Sequence, residues 1–259
     1  MSEKYETIAC KISEFIKNNI SQTGRKDAVF GLSGGIDSIV VAFLCKNAIG
    51  SNRCHALIMP HKGITPNEET VDAVEVAKSL GIKYKVYNIE SILNEFQKRS
   101  ERGNRVAVGN LLARIRASML YYYANINDSL VVGTDDKSEY LIGYFTKYGD
   151  GASDILPIRD LYKTEVQKLG EHLGVPYRII KKPPGAHLWK EHNAQNEIGI
   201  DYKTIDTILM SIFDENLKPN QIYDKFGIDA AIIENVIQMY KNSHHKRNLQ
   251  PFCDLNYFK

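Results

Sequence analysis

The chain lacks any apolar run close to the roughly 20 residues needed to cross a bilayer, so no membrane contact is expected. Its four cysteines, Cys10, Cys45, Cys54 and Cys253, are scattered, with no C-x-x-C among them. That removes a zinc ribbon and a dithiol redox pair, and leaves the reduced thiols of a cytoplasmic protein as the expectation. A charge excess is missing too. Lys and Arg number 33 against 31 Asp and Glu, which gives no electrostatic case for nucleic acid. The polar start Met1-Ser2-Glu3-Lys4-Tyr5-Glu6 does not read as a signal peptide. There is no internal repeat, no low-complexity linker, and no recognisable Ser–His–Asp or Cys–His set. The two commonest phosphate loops, G-x-x-x-x-G-K-[ST] and G-x-G-x-x-G, are also absent.

What is present is an ordinary globular composition, 43% hydrophobic and 25% charged over 259 residues, expected to form one domain, 1–259. Ile8, Ile12, Phe15 and Ile16 give residues 3–20 a helical stripe. Strands are expected at 27–32, 54–60, 83–89 and 129–134, with a short fifth at 155–158, and helices fall between them. Such alternation implies an α/β fold: a doubly wound, mostly parallel five-stranded sheet, Rossmann-like, with helices on both faces. Three extra helices follow near 201–215, 219–226 and 229–242. Residues 183–200, with Pro183-Pro184-Gly185 and the single Trp189, show little periodicity and are expected to form a mobile loop beside the site.

The stretch that organises the chain is Gly31-Leu32-Ser33-Gly34-Gly35-Ile36-Asp37-Ser38. Paired glycines at a strand end let main-chain N–H groups converge, and a helix starting at Ser38 would aim its positive end at the same point. Ser33 and Ser38 are expected to add hydroxyl donors. A carboxylate in a phosphate cradle needs a cation beside it, so Asp37 is expected to hold Mg2+. Thr134, closing the fourth strand, should lie next to this loop, and Glu139 five residues on gives Asp37 a partner ligand. Lys147 and Asp154 sit on a glycine-rich charged loop, where Lys147 can meet a phosphate and Asp154 ribose hydroxyls or an amine. Lys163, in a first helical turn, is badly placed for the helix dipole unless it faces an anion. Arg114 and Arg116, two apart on a helix, must point in different directions.

The glycine loop resembles the S-G-G-x-D-S loop of the ATP pyrophosphatases (PP-loop enzymes). The longer ordered series is similar to ammonia-dependent NAD synthetases: Ala113-Arg114-Ile115-Arg116, Gly133-Thr134, Lys137-Ser138-Glu139, Gly143 to Gly151, Asp154-Ile155-Leu156-Pro157, Leu161-Tyr162-Lys163-Thr164 and His245-Lys246-Arg247. The resemblance implies ATP bound by residues 31–38 (Gly31, Leu32, Ser33, Gly34, Gly35, Ile36, Asp37, Ser38), Thr134 and Lys163. It implies Mg2+ on Asp37 and Glu139, and deamido-NAD on Arg114, Lys147, Asp154, His245 and Lys246. Asp37, Lys163 and Lys147 would carry the catalysis. It also implies a cytoplasmic homodimer that uses ATP, deamido-NAD and free ammonia, without a glutaminase domain. The sequence departs from the family pattern after Pro184, where Gly185 stands in place of a hydroxyl residue. In the later acidic run only Glu197 and Gly199 keep their places. Three alternatives stay open: a related ligase acting on another carboxylate such as nicotinate mononucleotide or a sugar acid, a tRNA-modifying PP-loop enzyme, and a non-catalytic nucleotide-binding paralogue.

Overall fold

Along β1 (Asp27–Gly31) the side chains alternate between two cores. Ala28 and Phe30 join an apolar cluster on one face of the sheet, while Val29 joins a second cluster with Leu57 and Val131 on the other. A strand buried on both faces must lie inside a sheet covered by helices on each side. The computed structural model, which describes residues 2–185, 187–190, 193–248 and positions 251 and 253, has that arrangement. β1 lies between β2 (Cys54–Ile58) and β4 (Ser129–Val131), and β3 (Lys83–Val86) flanks β2, giving the order β3-β2-β1-β4. Every pairing is parallel, with Val29 opposite both His55 and Val131.

Helices α1 (Ser2–Gln22), α2 (Ile36–Ile49) and α3 (Asn67–Leu80) cover one face. Helices α4 (Glu90–Lys98) and α5 (Arg105–Asn127) cover the other. After β4 come α6 (Lys137–Ile142), α7 (Lys163–Leu173), α8 (Tyr177–Ile180) and α9 (Ala194–Ile198), then α10 (Tyr202–Phe213), α11 (Pro219–Phe226), α12 (Ala230–Asn242) and α13 (His244–Arg247). Helices α9 to α12 pack with α6 around Ile205, Leu209, Ile233 and Val236. At Gly143, in the left-handed region at φ 72°, an added Cβ would stand 2.0 Å from Ser243 Cβ, so the end of α12 can seat directly on the end of α6.

The fold class agrees with the sequence, with one correction. The sheet has four strands, and the expected fifth is a single parallel bridge between Val132 and Ile155. Pro157 has no N–H to extend that ladder, and the chain turns at once over 157–160. Residues 183–200, expected to be irregular, contain the short helix α9. Ala186, Glu191 and His192 of that stretch lie outside the described residues. No helix among the described residues is long and apolar enough to cross a membrane. From β1 the order runs one way to β2 and β3 and the other way to β4. The crevice beyond the carboxyl ends of β1 and β4 is therefore the switch point where ligands bind in such sheets.

Candidate active site

The turn after β1 is built by its own side chains. Gly34 adopts φ 94°, a region open to glycine, and an added Cβ would meet the Glu69 main-chain oxygen at 2.2 Å. Ser38 Oγ donates to the Gly35 oxygen at 3.0 Å and accepts from the Ser33 N–H at 3.1 Å. The Gly35 N–H donates to Ser33 Oγ at 3.2 Å. Helix α2 starts at Ile36, two residues earlier than expected, with Gly35 as its N-cap. Ser38 therefore braces the loop from inside, where the sequence reading made it a ligand donor.

Asp37, in the first turn of α2, meets Lys163 across 126 residues of chain. Lys163 Nζ lies 2.7 Å from Asp37 Oδ2, 2.8 Å from Glu139 Oε1 and 2.9 Å from Asp136 Oδ2. The lysine and Asp136 are completely buried. Burial alone would lower the Lys163 pKa, but Asp136, Asp37 and Glu139 outweigh it and hold the ammonium well above the usual lysine range. Burial pushes Glu139 well up and Asp136 up to about 6. The lysine is held by its own main chain as well. Its N–H donates to Ser138 Oγ at 2.9 Å, and Ser138 in turn donates to the buried Asp206 of α10. Asp206 also accepts from the Thr164 N–H at 2.8 Å. Asp136 has two tasks, since its Oδ1 caps α6 by accepting from the Glu139 N–H at 2.8 Å.

When ionised, three carboxylates around one ammonium leave a formal excess of two negative charges. Asp37 Oδ1 is buried without a hydrogen-bond partner among the described residues, and ligand oxygens of Asp37, Asp136 and Glu139 all lie within 4.8 Å of one another. Hard oxygens so grouped, with an orphaned lone pair among them, fit a hard divalent cation.

The cleft in front of this cluster has a volume of about 240 Å3 and is walled by the loop 31–38, the ends of β2 and β4, Thr134, and the segment after α8. Helix α5 supplies its side wall through Ala113, Arg116, Ala117 and Leu120. Of the two arginines it is thus Arg116 that enters the cleft, anchored by a 3.2 Å hydrogen bond from Nε to the Met59 oxygen. Burial lowers its pKa to about 10, and Asp150 opposes that shift.

Arg114 points elsewhere, toward an apolar groove between α4 and α5. Its guanidinium donates to the Lys147 oxygen at 3.2 Å, and Lys147 Nζ donates to the His245 oxygen at 2.9 Å. Lys246 Nζ caps the end of α6 through the Gly143 and Phe145 oxygens, at 2.8 and 2.7 Å. Arg114, Lys147, His245 and Lys246 thus form one continuous strip outside the phosphate-loop cleft. Asp154 stands apart from that strip, accepting from the Val131 N–H at 2.8 Å and from Tyr121 at 3.1 Å.

The sequence reading names Arg116 without choosing between it and Arg114 by position, and misses Asp136 and Asp206. A signal for Arg116 exists: Ala113, Ala117 and Leu120 recur at helical spacing and mark the inward face of α5, and Arg116 falls within it.

A parallel α/β sheet with a glycine anion loop at its switch point, backed by acids and a buried lysine, defines a nucleotide-binding protein of the PP-loop class. The chain belongs to the NAD synthase family, whose model matches residues 8–250. It is 44% identical to an NH3-dependent NAD+ synthetase from Staphylothermus marinus, over 98% of this chain and 94% of that relative. It is 43% identical to one from Methanocaldococcus jannaschii, over 96% and 97%. Among solved structures it resembles an NMN synthetase from Francisella tularensis, with TM-score 0.86, 32% identity, and 98% and 99% of the two chains covered. It also resembles an NH3-dependent NAD synthetase from Campylobacter jejuni, with TM-score 0.83, 33% identity, and 96% and 99% covered.

Proposed function

We propose that this chain joins ammonia to the nicotinate carboxylate of deamido-NAD at the expense of ATP, releasing NAD, AMP and pyrophosphate. The observation that carries the reading is Lys163, buried among three carboxylates at the base of a glycine anion loop. A carboxylate resists ammonia because its leaving group is poor. Transfer of AMP to it makes a mixed anhydride, which ammonia then opens with AMP as the leaving group. Neither step needs a protein nucleophile. The work left to the protein is positioning, charge stabilisation and exclusion of water.

In this reading residues 31–38 and Thr134 cradle ATP, and Lys163 stabilises charge on the departing pyrophosphate. Asp37 and Glu139, joined by Asp136, would hold Mg2+, which supplies Lewis-acid neutralisation of phosphate charge. Arg116 adds a cation on the α5 side of the cleft. Arg114, Lys147, His245 and Lys246 receive the dinucleotide along the outer strip, with Asp154 beside Tyr121 of α5. Free ammonia is the nitrogen donor, as the names of the archaeal relatives state for those proteins. The exposed apolar side chains Phe96, Tyr122 and Ile126, next to the groove between α4 and α5, support a homodimer formed through that face in a cytoplasmic enzyme.

A second reading keeps the chemistry and changes the substrate to nicotinate mononucleotide, and the likeness to the Francisella structure favours it. The strip reaching from Arg114 to Lys246 supports the longer dinucleotide. The deciding assay gives purified protein ATP, Mg2+ and ammonia with either acid, and measures AMP and the amide. We expect the larger kcat/KM with deamido-NAD. A larger value with the mononucleotide selects the second reading, and no AMP with either acid contradicts both.

A further inference from the structure

Lys163 is the first residue of α7. A helix dipole repels positive charge there, and the free N–H groups of a first turn need acceptors. The acceptors come from other elements. The Lys163 N–H donates to Ser138 Oγ of α6 at 2.9 Å, and the Thr164 N–H donates to Asp206 Oδ2 of α10 at 2.8 Å. Ser138 donates in turn to Asp206 Oδ1. Both oxygens of one buried carboxylate thus serve the first turn of α7, one directly and one through a hydroxyl. Asp206 lies in the middle of α10, beside the buried apolar side chains Ile205, Ile208 and Leu209. A carboxylate is costly to bury in such surroundings unless its bonds are used.

The middle of α7 is fixed by α2. At Gly170 an added Cβ would stand 2.9 Å from Ile36 Cδ1 and 3.3 Å from Val40 Cγ2, so the two helices touch where α2 carries Asp37 in its first turn. This contact sets the distance of α7 from Asp37. It leaves the rotation of the first turn open, yet Lys163 Nζ must meet three carboxylates at once, at 2.7, 2.8 and 2.9 Å. Helix α10 supplies what is missing. Tyr202 and Asp206 are four residues apart and share one side of it. Asp206 takes the main chain of α7, and the Tyr202 ring lies 5.2 Å from Lys163 Nζ, an aromatic face beside the ammonium. The apolar neighbours of Asp206 belong to the core that α6 shares with α9 to α12. Asp206 therefore ties Lys163 to a core separate from the two that cover the sheet.

We propose that Asp206 is a positioning residue for the amidation: by holding the first turn of α7 it fixes Lys163 against Asp37, Asp136 and Glu139, so that the helices after α9 are the mount of the lysine rather than an appendage to the sheet. The inference rests on the part given to Lys163 above, stabilisation of charge on the departing pyrophosphate. A cation that acts on charge developing in a reaction must be in place beforehand. Release of the first turn therefore costs rate, while ATP and the acid stay bound by other groups.

Two measurements on the same samples test this. Lysine acetylation followed by mass spectrometry reads the place of Lys163, with the exposed Lys17 as reference and the thiol of the fully buried Cys45 as the gauge of general loosening. Steady-state amidation reads the consequence. In Asp206→Ala we expect Lys163 to be acetylated about ten-fold or more faster than in wild type while Cys45 stays protected. We expect kcat to fall about a hundred-fold with KM for ATP and for the acid within about two-fold. Asp206→Asn can keep one of the two bonds and should fall between. Should Asp206→Ala fail to fold, Ser138→Ala breaks the relay and leaves the Thr164 bond, with the same readouts. A general structural role exposes Cys45 together with Lys163, or lowers the amount of active protein at unchanged kcat per folded site. Either result overturns the proposal, as does a Lys163 still unreactive in Asp206→Ala. If the wild type forms no AMP with either acid, it is the adenylation reading that fails, and the labelling still decides the positioning.

Discussion

The cluster around Lys163 and the outer strip from Arg114 to His245 are built in opposite ways. Around Lys163 the lysine and Asp136 are fixed by burial and by second partners: Ser138 and Asp206 behind the lysine, and the α6 cap behind Asp136. Along the outer strip the Arg114 and Lys147 side chains are each tied by a single bond to a main-chain oxygen, of Lys147 and His245 respectively. The first arrangement cannot reorganise cheaply, which suits stabilisation of charge that develops during a reaction. The second lets go of a carbonyl and takes up a ligand at little cost, which suits binding a long flexible substrate.

The largest effect expected from this contrast is at Lys163. Lys163→Met should lower the amidation rate by about a thousand-fold or more, on the scale of losing a preorganised charge. It should also destabilise the fold by roughly 3–5 kcal/mol, because buried carboxylates lose their counter-charge. Activity and a denaturant melt on the same sample check both. Next comes Arg114→Ala, expected to raise KM for deamido-NAD by about ten-fold, the scale of one charge-assisted contact. At so exposed a position stability should stay within about 0.5 kcal/mol. An equal rise in KM for ATP would erase the distinction between the two regions.

The smallest effect is the pH dependence of the contact between the buried Glu69 of α3 and Lys182, whose Nζ lies 3.1 Å from Glu69 Oε1. Burial works to raise the Glu69 pKa, but His187 and Lys182 outweigh it and hold the carboxyl below its usual range. A carboxyl depressed in the folded protein adds stability above its unfolded pKa and loses it as pH falls through the folded value. The stability difference between wild type and Glu69→Gln should therefore be constant from neutral pH down to about 4.5 and disappear below the ordinary carboxylate range. A difference that instead grew on acidification would contradict the depressed carboxyl.

The same contrast explains what could be read from the sequence. Residues 31–38 were legible because paired glycines, a strand end and an Asp lie within eight positions. Lys163 was legible because a cation in a first helical turn is out of place electrostatically. Asp136 was hidden by doing something ordinary, since an acid before a helix reads as a cap. Only the tertiary fold brings its other oxygen to a lysine 27 positions on. Arg116 was left without a role because two arginines two apart cannot be assigned to faces until the inward stripe of α5 is known. The fifth strand was over-read from an apolar tetrad that Pro157 cuts short.

The central claim is that the cleft splits ATP in order to adenylate a pyridine carboxylate. The direct measurement uses deamido-NAD labelled with 18O in that carboxylate, with ATP, Mg2+ and ammonia, and follows the label by mass spectrometry. Adenylation predicts one labelled oxygen in the phosphate of AMP for each NAD formed, and none in pyrophosphate. Label in an inorganic phosphate product, or none in AMP while NAD accumulates, would contradict it.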